Sequence, residues 1–146
     1  MNFGVAIPFV QHLGFELMLF EGGASQIDYT PLPEHLNSFH VTHGGAVMTL
    51  QDVVMATAAR SVQQDMGGGH HRDENQLHAA GAGRRQQAHA KGRLIHRTAT
   101  MAFTEGTVYD DQGRICSHAT GTFKYVKRLA VGPKGVNPLN TVISTD

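Results

Sequence analysis

The sequence predicts an α+β fold in which an antiparallel sheet holds one long helix. Three observations predict it. A single strong helical pattern, "AVMTLQDVVMATAARSVQQ" (46–64), stands near the middle of the chain. Strand-like runs separated by turn residues lie on both sides of it. The chain has 146 residues, 40% of them apolar, enough for one domain with one core. Strand, strand, helix, strand, strand is the order that an α+β layout needs.

Each element has its own warrant. Residues 7–12 form a short helix. "GFELMLFEGG" reads as a strand ending in a glycine turn, and "ASQIDYTPLP" as a second strand closed by Pro31 and Pro33. Glu21-Gly22-Gly23 joins them as a hairpin. On the helix, Ala46, Val47, Leu50, Val53, Val54 and Thr57 share one face, while Met48, Asp52, Met55 and Ala59 occupy the other. A helix so nearly apolar all round is wrapped by a sheet or pressed into a partner subunit. "GRLIHRTATMAFTEGTVYD" and "RICSHATGTFKYVKR" read as two long strands joined at Asp110–Gly113. The domain spans 1–128, and 129–146 forms a tail without periodicity.

Composition narrows the function. Formal net charge is zero, so overall charge gives no argument for a nucleic-acid partner. No apolar run reaches the length of a membrane span. The apolar N-terminus has no basic leader and reads as mature protein. One cysteine, Cys116, forms no internal disulfide and suits a reducing cytoplasm.

The chemistry gathers in "HLNSFHVTHGGAVMTLQDVV". His43-Gly44-Gly45 enters the helix, whose first-turn N–H groups point outward with partial positive charge. Such groups polarise a carbonyl and stabilise an oxyanion; the competing reading is a tight loop-to-helix turn. Asp52 lies two turns further on among Met48, Met55 and Ala56. Desolvation there raises a carboxyl pKa and suits a general base or nucleophile; a structural hydrogen bond is the alternative. Asn37 offers an amide to a water or carbonyl, or else satisfies its own turn. Together the three form a set for acyl transfer to water. No nucleophile elbow, P-loop or dinucleotide glycine pattern is present.

This run, followed by "GRLIHRTATMAFTEGTVYDDQGRICSHATGTFKYV", resembles the hotdog-fold acyl-CoA thioesterases of the phenylacetate-degradation (PaaI) type over most of residues 10–128. The resemblance implies a six-stranded antiparallel sheet curled round the helix. It implies a homodimer, often paired into a tetramer, with sites at the dimer interface. By the same resemblance, the Gly44 N–H polarises the thioester carbonyl, with Gly45 beside it. Asp52 of the other subunit acts as base or nucleophile, Asn37 places the water or carbonyl, and His43 shapes the loop. His96 and Arg97 are candidates for the coenzyme A phosphates, and an exposed strand charge is the alternative reading of them. Met48 and Met55 suit an adaptable wall for the acyl group. The implied enzyme needs no cofactor, since CoA is part of its substrate.

One segment departs from the pattern. "GGGHHRDENQLHAAGAGRRQQAHA" (67–90) has no apolar alternation. Where it stands, the family has a strand reading roughly "VTIEMKTSFMQPA". Read one nucleotide later, the codons of residues 67–81 permit "VVVTIEMKTSFMQPA" throughout, and the chain fits again by Lys91. The segment is therefore read as frame-shifted. The family's strand carries a Ser or Thr that holds the water near the Asp, and His70 stands at that position. The alternative for His70, His71, Asp73, Glu74 and His78 is a metal cluster, although their spacing matches no standard site. Arg84, Arg85 and Lys91 lack the stacking platform that a nucleic-acid site uses. The leading function is acyl-CoA or aryl-CoA hydrolysis. A non-catalytic acyl-CoA-binding or assembly module and a His-rich metal-binding protein are its competitors.

Overall fold

The computed structural model describes residues 1–63 and 86–126. The elements run α1 (Pro8–Leu13), β1 (Glu16–Glu21), β2 (Ala24–Tyr29), a 3-10 turn (Pro33–His35), α2 (Gly44–Arg60), β3 (Ala88–Arg97), β4 (Met101–Tyr109) and β5 (Ile115–Lys124). The five strands form one antiparallel sheet in the order β1-β2-β3-β4-β5. The α+β layout is as the sequence predicts. The sixth strand expected from residues 67–81, the proposed metal cluster, His70 and the 129–146 tail lie outside the described residues.

Alternation explains which face α2 covers. β2 buries Ser25, Ile27 and Tyr29, and β4 buries Ala102, Thr104 and Val108. These meet Leu50 and Val54 of α2, both fully buried. The helix comes close enough to the sheet to need glycine beneath it. A Cβ on Gly92 would collide with the carbonyl oxygen of Val54, and one on Gly106 would lie 2.6 Å from Gln51 Oε1. Ser25 fills the remaining gap, its hydroxyl donating to Val54 O at 2.6 Å. The opposite face of the sheet is polar. There Arg93 Nε donates to Glu105 at 2.8 Å, and His118 lies 3.5 Å from the same carboxylate. Such exposed pairs contribute little to stability.

Three expectations need correction. The run 92–110 is two strands, not one. Thr98 Oγ1 accepts the N–H groups of Thr100 and Met101 and folds the chain back on itself, so β3 pairs with β4. β3 also begins earlier than expected: Ala88, His89 and Ala90 already pair with β2, and Ala90 is fully buried. Finally, the helix begins at Gly44 and ends at Arg60, and its buried side is Leu50, Gln51, Val54, Met55, Thr57, Ala58 and Ala59. Met55 and Ala59 thus belong to the core side, because Gly106 and Gly121 open space for the Met55 side chain.

Candidate active site

The approach to α2 is a loop tied shut at its base. Leu36 bridges to Thr42, and the His43 N–H donates to His35 O at 2.9 Å. The His35 side chain anchors that base in the core. It is 6% exposed, its Nδ1 lies 2.7 Å from Tyr29 Oη, and the same nitrogen accepts the Leu32 N–H at 3.1 Å. Tyr29 is itself 1% exposed on β2. At the tip, Asn37 Oδ1 accepts the N–H groups of Phe39 at 2.8 Å and Val41 at 3.4 Å. The turn therefore consumes the Asn37 carbonyl, and its NH₂ remains a donor without a partner among the described residues.

His43 is the N-cap of α2. Its Nδ1 accepts the Gly45 N–H at 3.0 Å, and its carbonyl accepts the N–H of Ala46 at 2.9 Å and Val47 at 3.3 Å. The N–H of Gly44 has no acceptor among the described residues, and the residue is exposed. One first-turn donor, at the positive end of a 17-residue helix, is thus left to a ligand. A cap that accepts through Nδ1 suits His43 to shaping the loop.

Asp52 lies on the exposed side of α2, yet neighbouring protein displaces enough water from its carboxyl to raise its pKa. Met48, one turn before it, is 73% exposed. Phe39 at 82% and Val41 at 56% are further exposed apolar side chains, on the loop before the helix. Met55, expected beside Met48, is instead 6% exposed and packed against the sheet.

The structure gathers Asn37, His43, Gly44, Gly45 and Met48 at the N-terminal end of α2. It puts His96 and Arg97 elsewhere. Gly92 meets Val54, and Leu94 lies beside Gly23 and Val62, so the end of β3 passes the C-terminal end of the helix. There His96 stacks on Phe103 with ring centroids 6.1 Å apart, and Arg97 is exposed. Sequence reading missed the Tyr29–His35 pair. The alternation of β2 could have shown Tyr29 facing inward, whereas nothing local revealed that His35 turns in to meet it.

No family model and no curated protein matches the chain. Solved structures do resemble it. A mutant of the phenylacetic acid degradation protein PaaI from Thermus thermophilus superposes with a TM-score of 0.64 at 17% identity, over 82% of this chain and 100% of that one. The E. coli PaaI protein, from the phenylacetic acid degradation operon, gives 0.60 at 17%, over 77% and 84%. A mutant of a hypothetical thioesterase from Streptococcus pneumoniae gives 0.61 at 17%, over 79% and 92%. The chain has the hotdog fold. The hotdog likeness at this identity is one of backbone, and it leaves the chemistry to be argued from the residues above. Among the described residues no helix is long and apolar enough to cross a membrane.

Proposed function

We propose that this protein hydrolyses acyl-CoA or aryl-CoA thioesters to free acid and CoA. The observation that carries the reading is the Gly44 N–H, a helix-start donor without an acceptor among the described residues, on the same helix as a desolvated carboxylate. The thioester carbonyl oxygen accepts from Gly44, and the helix dipole strengthens the bond as negative charge develops. Asp52 takes a proton from water, and the water oxygen attacks the carbonyl carbon. Collapse of the tetrahedral oxyanion breaks the C–S bond, and the proton held by Asp52 passes to the departing sulfur. Asp52 as nucleophile is the variant of this step, giving an acyl-carboxylate anhydride that water then opens. The Asn37 NH₂ steadies the water or the carbonyl.

The proposed reading is of a two-copy site, as the resemblance to PaaI-type enzymes implies, and spacing along the helix supports it. Gly44 and Asp52 are eight residues apart, roughly 12 Å along the axis at 1.5 Å per residue. Using both from one copy would stretch a carbonyl and its attacking water along most of that length. In this reading the carboxylate comes from a second copy, which covers the exposed Phe39, Val41 and Met48. The assembly is a homodimer, paired further into a tetramer. His96 and Arg97 lie away from Gly44 in the same chain, and as contacts for CoA phosphates they would serve a site shared with a second copy. The exposed thiol of Cys116 suits a reducing cytoplasm.

The test is thiol release from a panel of acyl- and aryl-CoA esters by the wild-type protein and by Asp52→Ala. Hydrolysis that falls by orders of magnitude in the variant supports the reading. Equal turnover in both removes Asp52 from it. Tight binding of CoA esters without hydrolysis would make the protein a binding module.

A further inference from the structure

His35 has no part in the reaction described above, yet it is the most constrained titratable side chain near the site. It is 6% exposed, and its Nδ1 is engaged by two groups: the Leu32 N–H at 3.1 Å and the Tyr29 hydroxyl at 2.7 Å. The backbone N–H can only donate, so Nδ1 is an acceptor and the ring proton sits on Nε2. Nε2 is buried and has no hydrogen-bond partner among the described residues. A buried donor left unsatisfied is costly, and a plain apolar side chain would avoid the cost. The retention of a ring with one fully used and one orphaned nitrogen calls for an explanation beyond filling space.

That explanation lies in the main chain of the same residue. His35 O accepts the N–H of His43, the residue that caps α2 and precedes Gly44. From the next residue, Leu36, the chain bridges to Thr42 and closes the loop that carries Asn37. The ring is thus fixed to the sheet through Tyr29 on β2, while the backbone of the same residue holds both arms of the loop. The Tyr29 ring is in turn wedged edge-on by Phe15, with centroids 5.0 Å apart. Among the described residues no comparable tie to the sheet holds His43 itself, whose side chain is spent on the Gly45 N–H.

We propose that His35, held by Tyr29, is the positioning residue that sets the Gly44 N–H and the Asn37 amide relative to the sheet. The inference rests on the thioesterase reading for its kinetic consequence but not for its structural one. The acceptor at Nδ1 is the working feature. His35→Asn keeps an acceptor near that position, whereas His35→Phe keeps a ring and loses the acceptor. Tyr29→Phe is the milder break, because the Leu32 N–H still reaches the imidazole.

The test compares the three variants with the wild type in two measurements. The first is kcat and KM for thioester hydrolysis. The second is amide hydrogen exchange at residues 36–45, which needs no substrate. His35→Phe is expected to lower kcat about a hundredfold with KM within about threefold, as misplacement of a site by an ångström does. Tyr29→Phe is expected to lower kcat by about tenfold, and His35→Asn to recover most of the loss. Exchange at His43 and Gly45, whose N–H groups are bonded, should quicken in the same order, with exchange in β3 and β4 unchanged. Wild-type exchange in the loop of a folded His35→Phe or Tyr29→Phe protein overturns the proposal, as does equal loss of kcat in His35→Asn and His35→Phe. If His35→Phe does not fold, Tyr29→Phe decides alone. If the wild type hydrolyses no thioester, the functional reading fails while the exchange arm still decides this one.

Discussion

The two sides of α2 differ in how fully their own chain finishes them. The sheet side is closed. Leu50 and Val54 are fully buried, the backbone presses onto Gly92 and Gly106, and Ser25 Oγ satisfies a helix carbonyl. The outer side is open. It carries a donor without an acceptor among the described residues at Gly44, a partly desolvated carboxylate at Asp52 and an exposed Met48, and the loop before the helix adds exposed Phe39 and Val41. A folded chain does not leave apolar groups beside backbone donors in order to gain stability. The contrast teaches that one side of the helix serves the fold, and on the proposed reading the other serves a ligand and a second copy.

Substitutions on each side should behave accordingly. The largest effect belongs to Asp52→Ala, expected to lower thioester hydrolysis by about 10³-fold or more, in line with loss of a general base. Circular dichroism should show an unchanged fold. Next comes Gly92→Ala on the sheet side. Its new methyl meets the Val54 carbonyl oxygen, and overpacking of this kind costs about 3 kcal/mol, measurable by denaturant unfolding. Met48→Asp, on the outer side, should leave the monomer's stability nearly unchanged and weaken self-association about tenfold or more, read by sedimentation velocity.

The smallest effects follow from the raised pKa of Asp52. Hydrolysis needs the carboxylate, so its acid limb should lie above the 3.8 of an ordinary aspartic acid. The sign for stability is the reverse. A carboxyl whose pKa is raised by folding contributes stability that is fully present below pH 3.8 and is lost as pH rises through the folded-state value. At neutral pH the ionised group weighs against the fold. Asp52→Asn should therefore melt slightly higher than wild type at pH 7, and the advantage should vanish in acid. A lower melting temperature at pH 7 would mean that the outer side also serves the fold.

Much of the sheet side was legible in the sequence, because burial leaves a period. The run "ASQIDY" was placed as a strand, and the glycine turn at Gly22-Gly23 joined the first pair, whereas "MAFTEGTVY" was read as the end of one longer strand. The turn at Thr98–Thr100 was not legible, since a Thr that bonds its own backbone looks like any strand residue. Met55 was misplaced because a helical wheel gives the direction of a side chain but not the room beneath it. That room came from Gly106 and Gly121, more than fifty residues away. Asn37, His43, Gly44 and Asp52 were found through their joint spacing, as no one of them is distinctive alone. The out-of-frame reading of residues 67–81 is a statement about covalent structure, and an intact mass decides it: the written chain weighs 15.8 kDa.

The separation of Gly44 and Asp52 along one helix has a consequence for inheritance of activity between chains. If each site takes its donor from one copy and its carboxylate from another, two inactive proteins can repair each other. Asp52→Ala supplies a sound loop, and Asn37→Ala supplies a sound carboxylate. After equal mixing, dissociation and reassociation, half of the dimers pair unlike chains, and each of these holds one site free of both substitutions. Activity should return to about a quarter of the wild-type level, the share set by random two-fold pairing. Under that sharing, a defect in one chain becomes one that a differently damaged neighbour can complement.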